Sequence, residues 1–437
     1  MKVAILNYGC VNEEAMYDNL MSKMEQQGIE SAEKIDESDY IIVITCGGLG
    51  ETISRIANDL MTLNSYSKKN NTKVIVVGCL VSRLKEEMSQ LFDLFEDNPN
   101  MKLIDDIEWI MPVINYMCET NMITTDIEKL YNRTHYLDRD GINIQFIMEW
   151  GCTNKCSFCK TNYMNFTPVS VPYELALNYL RNMVINNGTK VICLNGMNLT
   201  LYGIDLYGKP RLHEFIHELS KIKGLERINI NELVPGNMYK ELLDEIITNP
   251  KVVRTSFQLE TASNRLLNLM NRNYTLEEYD YYVKRVIDSG RYVSTIIMSG
   301  FPTETEDDMN YTIRYLKDRG IITEVISEYV DFKGIIPSSK LEQYSKREKR
   351  RHTKYLSDNL KEINYGIYLQ EMPNQTTLIS AVSKDGKQFF HNDIPMIITV
   401  PGNNRFRNIK PGTIITEAPK RLVKHNNIAE RIAYKVG

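Results

Sequence analysis

Two groups of three cysteines are the residues of this chain best suited to chemistry. Cys152, Cys156 and Cys159 form a C-x3-C-x2-C pattern within Gly151-Cys152-Thr153-Asn154-Lys155-Cys156-Ser157-Phe158-Cys159. A zinc site needs a fourth ligand, and no His occurs within thirty residues downstream. Three thiolates instead suit three irons of a [4Fe-4S] cube and leave the fourth iron for a substrate. Cys10, Cys46 and Cys79 are widely spaced, yet each follows an apolar run. One such cysteine reads as a small buried hydrophobe, whereas three in equivalent positions can converge on one metal cluster.

The elements that must position the second group are legible as β-α-β units. Apolar runs Val3–Leu6, Tyr40–Thr45 and Lys73–Gly78 read as strands, followed by helices over about Glu13–Gln27, after the glycine-rich Gly47-Gly48-Leu49-Gly50 through about Ser65, and over Leu80–Gln90. The pattern predicts an open parallel α/β sheet, and Cys10, Cys46 and Cys79 fall at the carboxyl ends of its strands, the edge at which such sheets bind ligands.

The other triad follows a predicted strand over 142–149. Strands and helices then alternate, with further strands at Lys190–Leu194, Arg227–Ile230, Val252–Leu259, Tyr292–Met298 and Thr323–Val330. These six βα repeats fall short of the eight of a closed barrel.

With the triad and the repeats in hand, the chain resembles the radical SAM superfamily, and within it the methylthiotransferases, which modify tRNA adenosines or a ribosomal-protein aspartate. The matching segments are Gly9-Cys10 with Asn12, Val43-Ile44-Thr45-Cys46, Val77-Gly78-Cys79, Asn195-Gly196-Met197-Asn198 with Tyr202-Gly203 and Asp205, Ser263–Leu267, Met270-Asn271-Arg272-Asn273-Tyr274-Thr275, and Gly300–Thr305. They run through roughly residues 1–365. The resemblance implies an N-terminal methylthiotransferase domain over 1–120 with an auxiliary cluster, a linker over 121–140, a partial (β/α)6 radical SAM barrel over 141–364, and a small C-terminal β-barrel like the TRAM domain over 365–437.

The resemblance also implies the cofactors. Cys152, Cys156 and Cys159 would hold the catalytic [4Fe-4S] cluster that binds S-adenosyl-L-methionine. Cys10, Cys46 and Cys79 would hold an auxiliary [4Fe-4S] cluster carrying sulfide or polysulfide. Asn195, Glu260 and Ser263, near strand ends, are candidate S-adenosylmethionine contacts. A reductant such as flavodoxin or ferredoxin would supply electrons. The implied reaction replaces an unactivated C–H with C–SCH3.

The chain departs from the family pattern around the active site. Family members carry an Arg-Gly pair and then Ser-Arg-Pro after the triad, where this chain has Asn165-Phe166 and Ser170-Val171-Pro172. Gln-Ser-Gly-Ser after the fourth strand becomes Glu260-Thr261-Ala262-Ser263, and the loop after Cys10 is shortened by about one residue. The Gly-Arg-Thr signature of the tail is reduced to Gly386-Lys387-Gln388.

Charge bears on the substrate. The chain has a net charge of -4, so no global basic field announces nucleic acid. From Gly366 onward it carries +5, including Arg405, Arg407, Lys410, Lys420, Arg421 and Lys424, which leaves -9 for the rest. The tail suits RNA phosphates or an acidic peptide, or is simply a solvated face. The lost arginines and the acidic body favour a peptide or protein substrate, and a tRNA adenosine is the alternative. A non-catalytic, metal-stabilised RNA- or protein-binding module is the competing reading.

Composition sets the remaining bounds. At 437 residues, 43% hydrophobic and 25% charged, with 14 Pro, the chain has the make-up of a globular protein of several domains. The opening MKVAILNYGC has an apolar run too short for a signal segment or a membrane span. A cytoplasmic monomer with no membrane partner is expected, with its thiols reduced. His213-Glu214-Phe215-Ile216-His217 matches the zinc-protease H-E-x-x-H pattern, but its apolar neighbours read as an amphipathic surface helix. Cys118 and Cys193 read as core residues, and Lys346–Arg351 as a solvated run ahead of the barrel's closing helix.

Overall fold

The computed structural model describes residues 1–8, 11–45, 50–78, 80–81, 84–85, 88–104, 110–119, 135–137, 142–159, 168–331, 336–371, 377–382, 388–391, 397–399 and 414–415. The chain divides into two compact units, Met1–Tyr136 and Leu137–Gly437.

The first unit is built on Lys2–Asn7, Tyr40–Thr45 and Lys73–Gly78, which are uniformly parallel. Their alternating side chains feed two cores, as a sheet covered on both faces requires. Val3, Ile42, Ile44, Ile75 and Val77 pack with Met16, Leu20 and Met24 of helix Val11–Gln26 and with Val113, Ile114 and Met117 of helix Ile110–Cys118. Ala4, Ile41, Val43, Val74 and Val76 pack the other way, against Ile56, Leu60 and Leu63 of helix Gly50–Asn70 and against Leu80, Val81, Leu84 and Phe95. Two short strands, Glu30–Ser31 and Met101–Leu103, extend the sheet at either edge to five strands. The helix expected over Leu80–Gln90 is interrupted at Met88, whose backbone is non-helical, and a separate helix spans Ser89–Glu96.

In the second unit, Asn143–Ile147, Val191–Asn195, Arg227–Leu233, Val252–Phe257, Tyr292–Ser299 and Ile322–Glu328 pair in consecutive order, every pair parallel. Sequential order is the mark of a barrel wall, because each helix carries the chain always to the next strand in the same sense. Six strands do not close, and the fold is a partial (β/α)6 barrel.

Local signals fix the helices between the strands. Thr275 and Thr305 head helices Leu276–Asp288 and Glu306–Arg319 with reciprocal capping boxes to Glu278 and Asp308. Helix Leu212–Ser220 buries Leu212, Phe215, Ile216 and Leu219, as an amphipathic surface helix should. The final helix runs over Lys346–Glu371. The basic run Lys346–Arg351 therefore forms its first turns rather than preceding it, and the helix continues past the boundary expected at 364/365. Beyond it, Thr377–Val382, Gln388–His391, Ile397–Thr399 and Ile414–Ile415 pair antiparallel in a four-stranded sheet. Among the described residues no helix is long and apolar enough to cross a membrane.

Candidate active site

The barrel interior is polar in ordered tiers. On the first three strands Ile144, Phe146, Ile192, Leu194, Ile228 and Ile230 are buried toward the helices, with Phe146 stacked on Tyr179 of helix Tyr173–Asn187. Alternation turns the intervening residues to the concave face. One rung there joins Asn143, Cys193 and Asn229: the Cys193 thiol donates to Asn143 Oδ1 at 3.4 Å and accepts from Asn229 Nδ2 at 3.5 Å. The next joins Gln145, Asn195 and Asn231, with Asn195 Nδ2 donating to Gln145 Oε1 at 3.0 Å and Asn231 Nδ2 to Asn195 Oδ1 at 2.7 Å. Among the described residues Asn229 Oδ1 and Asn231 Oδ1 are buried acceptors that find no donor. Arg254 reaches across to Glu324 at 2.5 Å, and Gln258 donates to Glu232 at 2.7 Å. Burial, with Glu324 and Glu260 as neighbouring charges, pushes the Glu232 carboxyl up to about 8.

At the mouth, Glu149 follows the first strand and pairs with Ser170 in a two-strand ladder formed by Glu149–Trp150 and Val169–Ser170. Its Oε1 accepts from Asn198 N at 2.5 Å. Burial raises this carboxyl to about 7 even though the backbone N–H groups of Asn198 and Met197 favour its charge.

The loop Gly151–Cys159 leaves the mouth two residues later. Gly151 has a left-handed backbone (φ 84), which an L side chain rarely adopts. The loop is clasped by late-sequence segments. Ser157 N and Oγ donate to Met270 O and Leu269 O, each at 2.8 Å, Asn271 Nδ2 donates to Lys155 O at 2.6 Å, and Ser338 N and Oγ donate to Ser157 O. Phe158 packs on the cluster of Leu266, Met270, Met298, Phe301, Tyr329 and Ile336.

Cys156 is buried, while Cys152 and Cys159 are half-buried. Burial pushes the Cys152 thiol up to about 11. Among the described residues no group of three His, Cys, Asp or Glu side chains is spaced to hold one metal ion. The donor set itself is three sulfurs in one clasped loop, and Cys156 Sγ accepts from Arg272 Nη1 at 3.2 Å, a partner suited to a ligating sulfur. These features fit a polynuclear cluster.

Arg272 is the hub that sequence reasoning passed over. Its Nη2 donates to Glu260 Oε1 at 3.1 Å and its Nε to Tyr274 OH at 3.0 Å, and the guanidinium lies beside the Phe158 and Tyr274 rings. The available signal was its place in the matched segment Met270–Thr275. Of the three side chains expected near S-adenosylmethionine, Asn195 sits in the upper polar rung. Glu260 follows the fourth strand and is engaged with Arg272. Ser263 caps helix Asn264–Leu269, accepting from Leu266 N and donating to Asp308 Oδ1 at 2.6 Å.

Cys10, Cys46 and Cys79 lie outside the described residues. The described ends of their strands are in register: Asn7 pairs with Ile44, and Thr45 with Gly78. The Thr45 hydroxyl donates to Val77 O at 2.6 Å and accepts from Leu80 N at 3.3 Å, so it bridges the residues on both sides of position 79. A Cβ on Gly78 would lie 2.4 Å from Thr45 O, so only glycine permits this approach.

The remaining candidates are structural. His213 contacts Tyr239 OH at 3.1 Å and His217 lies 3.4 Å from Glu245, beside a surface cleft of about 640 Å³ on the helix side of the barrel. Cys193 is buried in the lower rung, and Cys118 ends helix Ile110–Cys118 against the first core.

Comparison with known proteins agrees with this architecture. Residues 150–316 match the Radical SAM superfamily, and residues 2–96 match the family described as Uncharacterized protein family UPF0004. The chain is 29% identical over 374 residues to a tRNA-2-methylthio-N(6)-dimethylallyladenosine synthase of Thermosipho africanus, covering 83% of this chain and 84% of that protein. It is 25% identical over 429 residues to the ribosomal protein uS12 methylthiotransferase RimO of Clostridium botulinum, covering 95% and 94%. Among solved structures, the radical S-adenosylmethionine methyltransferase TsrM of Kitasatospora setae superimposes with a TM-score of 0.53 over 77% of this chain and 74% of that one, at 11% identity, a likeness of fold.

Proposed function

Because this chain belongs to the radical SAM methylthiotransferases, we propose that its substrate is a peptide or protein side chain, at which an unactivated C–H becomes C–SCH3. The observation that carries the reading is the cysteine triad at the mouth of the barrel, in a loop fixed by Leu269–Asn271 and Ser338. A [4Fe-4S] cluster with bound S-adenosyl-L-methionine supplies hydrogen-atom abstraction by a 5′-deoxyadenosyl radical.

The chain's own residues then have distinct tasks. Cys152, Cys156 and Cys159 are the ligands of that cluster. Cys10, Cys46 and Cys79 are the ligands of a second cluster that keeps sulfide or polysulfide for transfer. Asn195 is retained as an S-adenosylmethionine contact, since its rung faces the interior. Glu260 and Ser263 already have partners in Arg272 and Asp308. The tail from residue 365, read as TRAM-like, recognises the substrate. Electrons come from a flavodoxin or ferredoxin, and the reaction belongs in the cytoplasm, where thiolates persist.

The interior supports a peptide over a nucleobase. Its polar rungs are built from amide side chains, with Asn229 Oδ1 and Asn231 Oδ1 among the described residues left as open acceptors suited to a peptide's N–H groups. The basic tail suits RNA phosphates as well as an acidic peptide, and a tRNA adenosine is the second reading. Anaerobic reconstitution with iron and sulfide, followed by mass spectrometry of candidate peptides and of tRNA, tests both. Methylthiolated peptide is the expected product; methylthiolated tRNA alone would replace the first reading with the second.

A further inference from the structure

We propose that Arg272 is a positioning residue that sets the reduction potential of the cluster on Cys152, Cys156 and Cys159, with Glu260 as its counter-charge. The inference rests on the ligand assignment made above.

Arg272 is held on every side. Its three donor contacts go to Cys156 Sγ at 3.2 Å, Glu260 Oε1 at 3.1 Å and Tyr274 OH at 3.0 Å. Tyr274 is itself fixed because its hydroxyl donates to Gln258 O. The side chains of Arg272 and Glu260 are only 7% and 9% exposed, so each ion would be costly without the other. Neutralising the guanidinium needs Glu260 alone. The contact to the Cys156 sulfur is additional, and it aims a cation at a cluster ligand.

The backbone pays for this aim. Glu260 adopts a left-handed conformation, φ 66, which a non-glycine residue rarely adopts. It is kept there by hydrogen bonds from Glu260 N to Ile296 O at 3.0 Å and from Met298 N to Glu260 O at 2.9 Å.

Reduction adds one electron to the cluster from a flavodoxin or ferredoxin, and no bond forms or breaks. The reduced state is the more negative one, so a positive donor at a ligand sulfur stabilises it and raises the potential, while Glu260 opposes that effect. The two side chains therefore act in opposite senses, and the sulfur contact gives Arg272 the larger effect.

The test uses full-length protein with Cys10, Cys46 and Cys79 changed to Ala, so that one cluster is read. Iron and sulfide are assayed, and the midpoint is then measured by potentiometric titration with electron paramagnetic resonance. Arg272→Gln is expected to lower the reduction equilibrium about tenfold, ~59 mV for one electron. Glu260→Gln is expected to shift it upward. Combining the two leaves no lone buried charge, so the protein folds even if a single variant does not. It loses the sulfur donor at constant net charge, and its midpoint should lie below that of the parent. A parent-like midpoint in the combined variant, or single variants shifting in the same direction, would overturn the proposal. A parent protein without iron and sulfide would overturn the ligand assignment itself, and the assay distinguishes that failure from the others.

Discussion

Gly196 and Glu149 leave no room for a β-carbon between them. A Cβ on Gly196 would lie 2.5 Å from Glu149 Oε1 and 3.1 Å from its Cδ. The carboxylate cannot swing aside freely, because the same oxygen accepts from Asn198 N. The two residues thus lock the turn after the second barrel strand to the end of the first, directly beside the cysteine loop.

Gly196→Ala should therefore destabilise the protein by about 1–3 kcal/mol, the usual cost of overpacking. Glu149→Ala should relieve much of that cost, since it removes the atoms in the way. Denaturant melts of the two single variants and the pair form the test. Additive losses would show that the two positions are not in conflict.

The Glu232 carboxyl is raised to about 8 by burial first, from an ordinary value of 4.5. The folded protein then binds a proton that the unfolded chain has released, so stability falls as pH rises from about 4.5 to about 8. Glu232→Gln should flatten that part of the curve and leave the variant relatively more stable at pH 8 than at pH 5. Thermal melts across this range check the sign, and parallel curves for both proteins would refute the assignment.

Changing Cys152, Cys156 or Cys159 to Ala should abolish 5′-deoxyadenosine formation, because loss of one thiolate in three destroys or mis-seats the cluster. Changing Cys10, Cys46 and Cys79 together should leave that cleavage intact and eliminate methylthio transfer. Chromatography of both products reads the two outcomes separately. Methylthiolated product from the second variant would remove sulfur storage from the N-terminal unit.

If the tail from Gly366 grips RNA, affinity for bulk tRNA should fall steeply with salt, with a slope of about −0.9 per neutralised duplex phosphate. Binding of an acidic peptide should depend more weakly on salt and more on peptide sequence. Arg405, Arg407 and Lys410 changed together to Glu make the discriminating variant. Tight tRNA binding, steep in salt and lost in this variant, would defeat the peptide reading.

What was legible in the sequence was what periodicity reports. Strands such as Tyr40–Thr45 and Tyr292–Ser299 are rich in apolar and β-branched residues, so the parallel βα units could be read directly, while the partial barrel was implied by the family resemblance. The edge strands Glu30–Ser31 and Met101–Leu103 are too short to establish a period. The start of helix Lys346–Glu371 is a charged run without apolar spacing, and it is helical because Ser345 caps it through Glu348 and because later residues such as Leu356 and Leu360 are buried. In the site, the cysteines announced themselves by spacing. Arg272 did not, because an arginine between two helices usually lies on the surface, and only the fold brings it to a sulfur 116 residues away in sequence.

The clasp on the cysteine loop also sets an order of events during synthesis. Ser157 contacts Leu269 and Ser338, which lie 112 and 181 residues later. At about 5–20 residues per second, Ser338 leaves the ribosome roughly 10–35 s after Ser157. For that interval the three thiols are outside the ribosome without the segments that seat them. A nascent chain cut short before Ser338 would carry every cysteine of the triad and still lack part of the clasp that holds their loop.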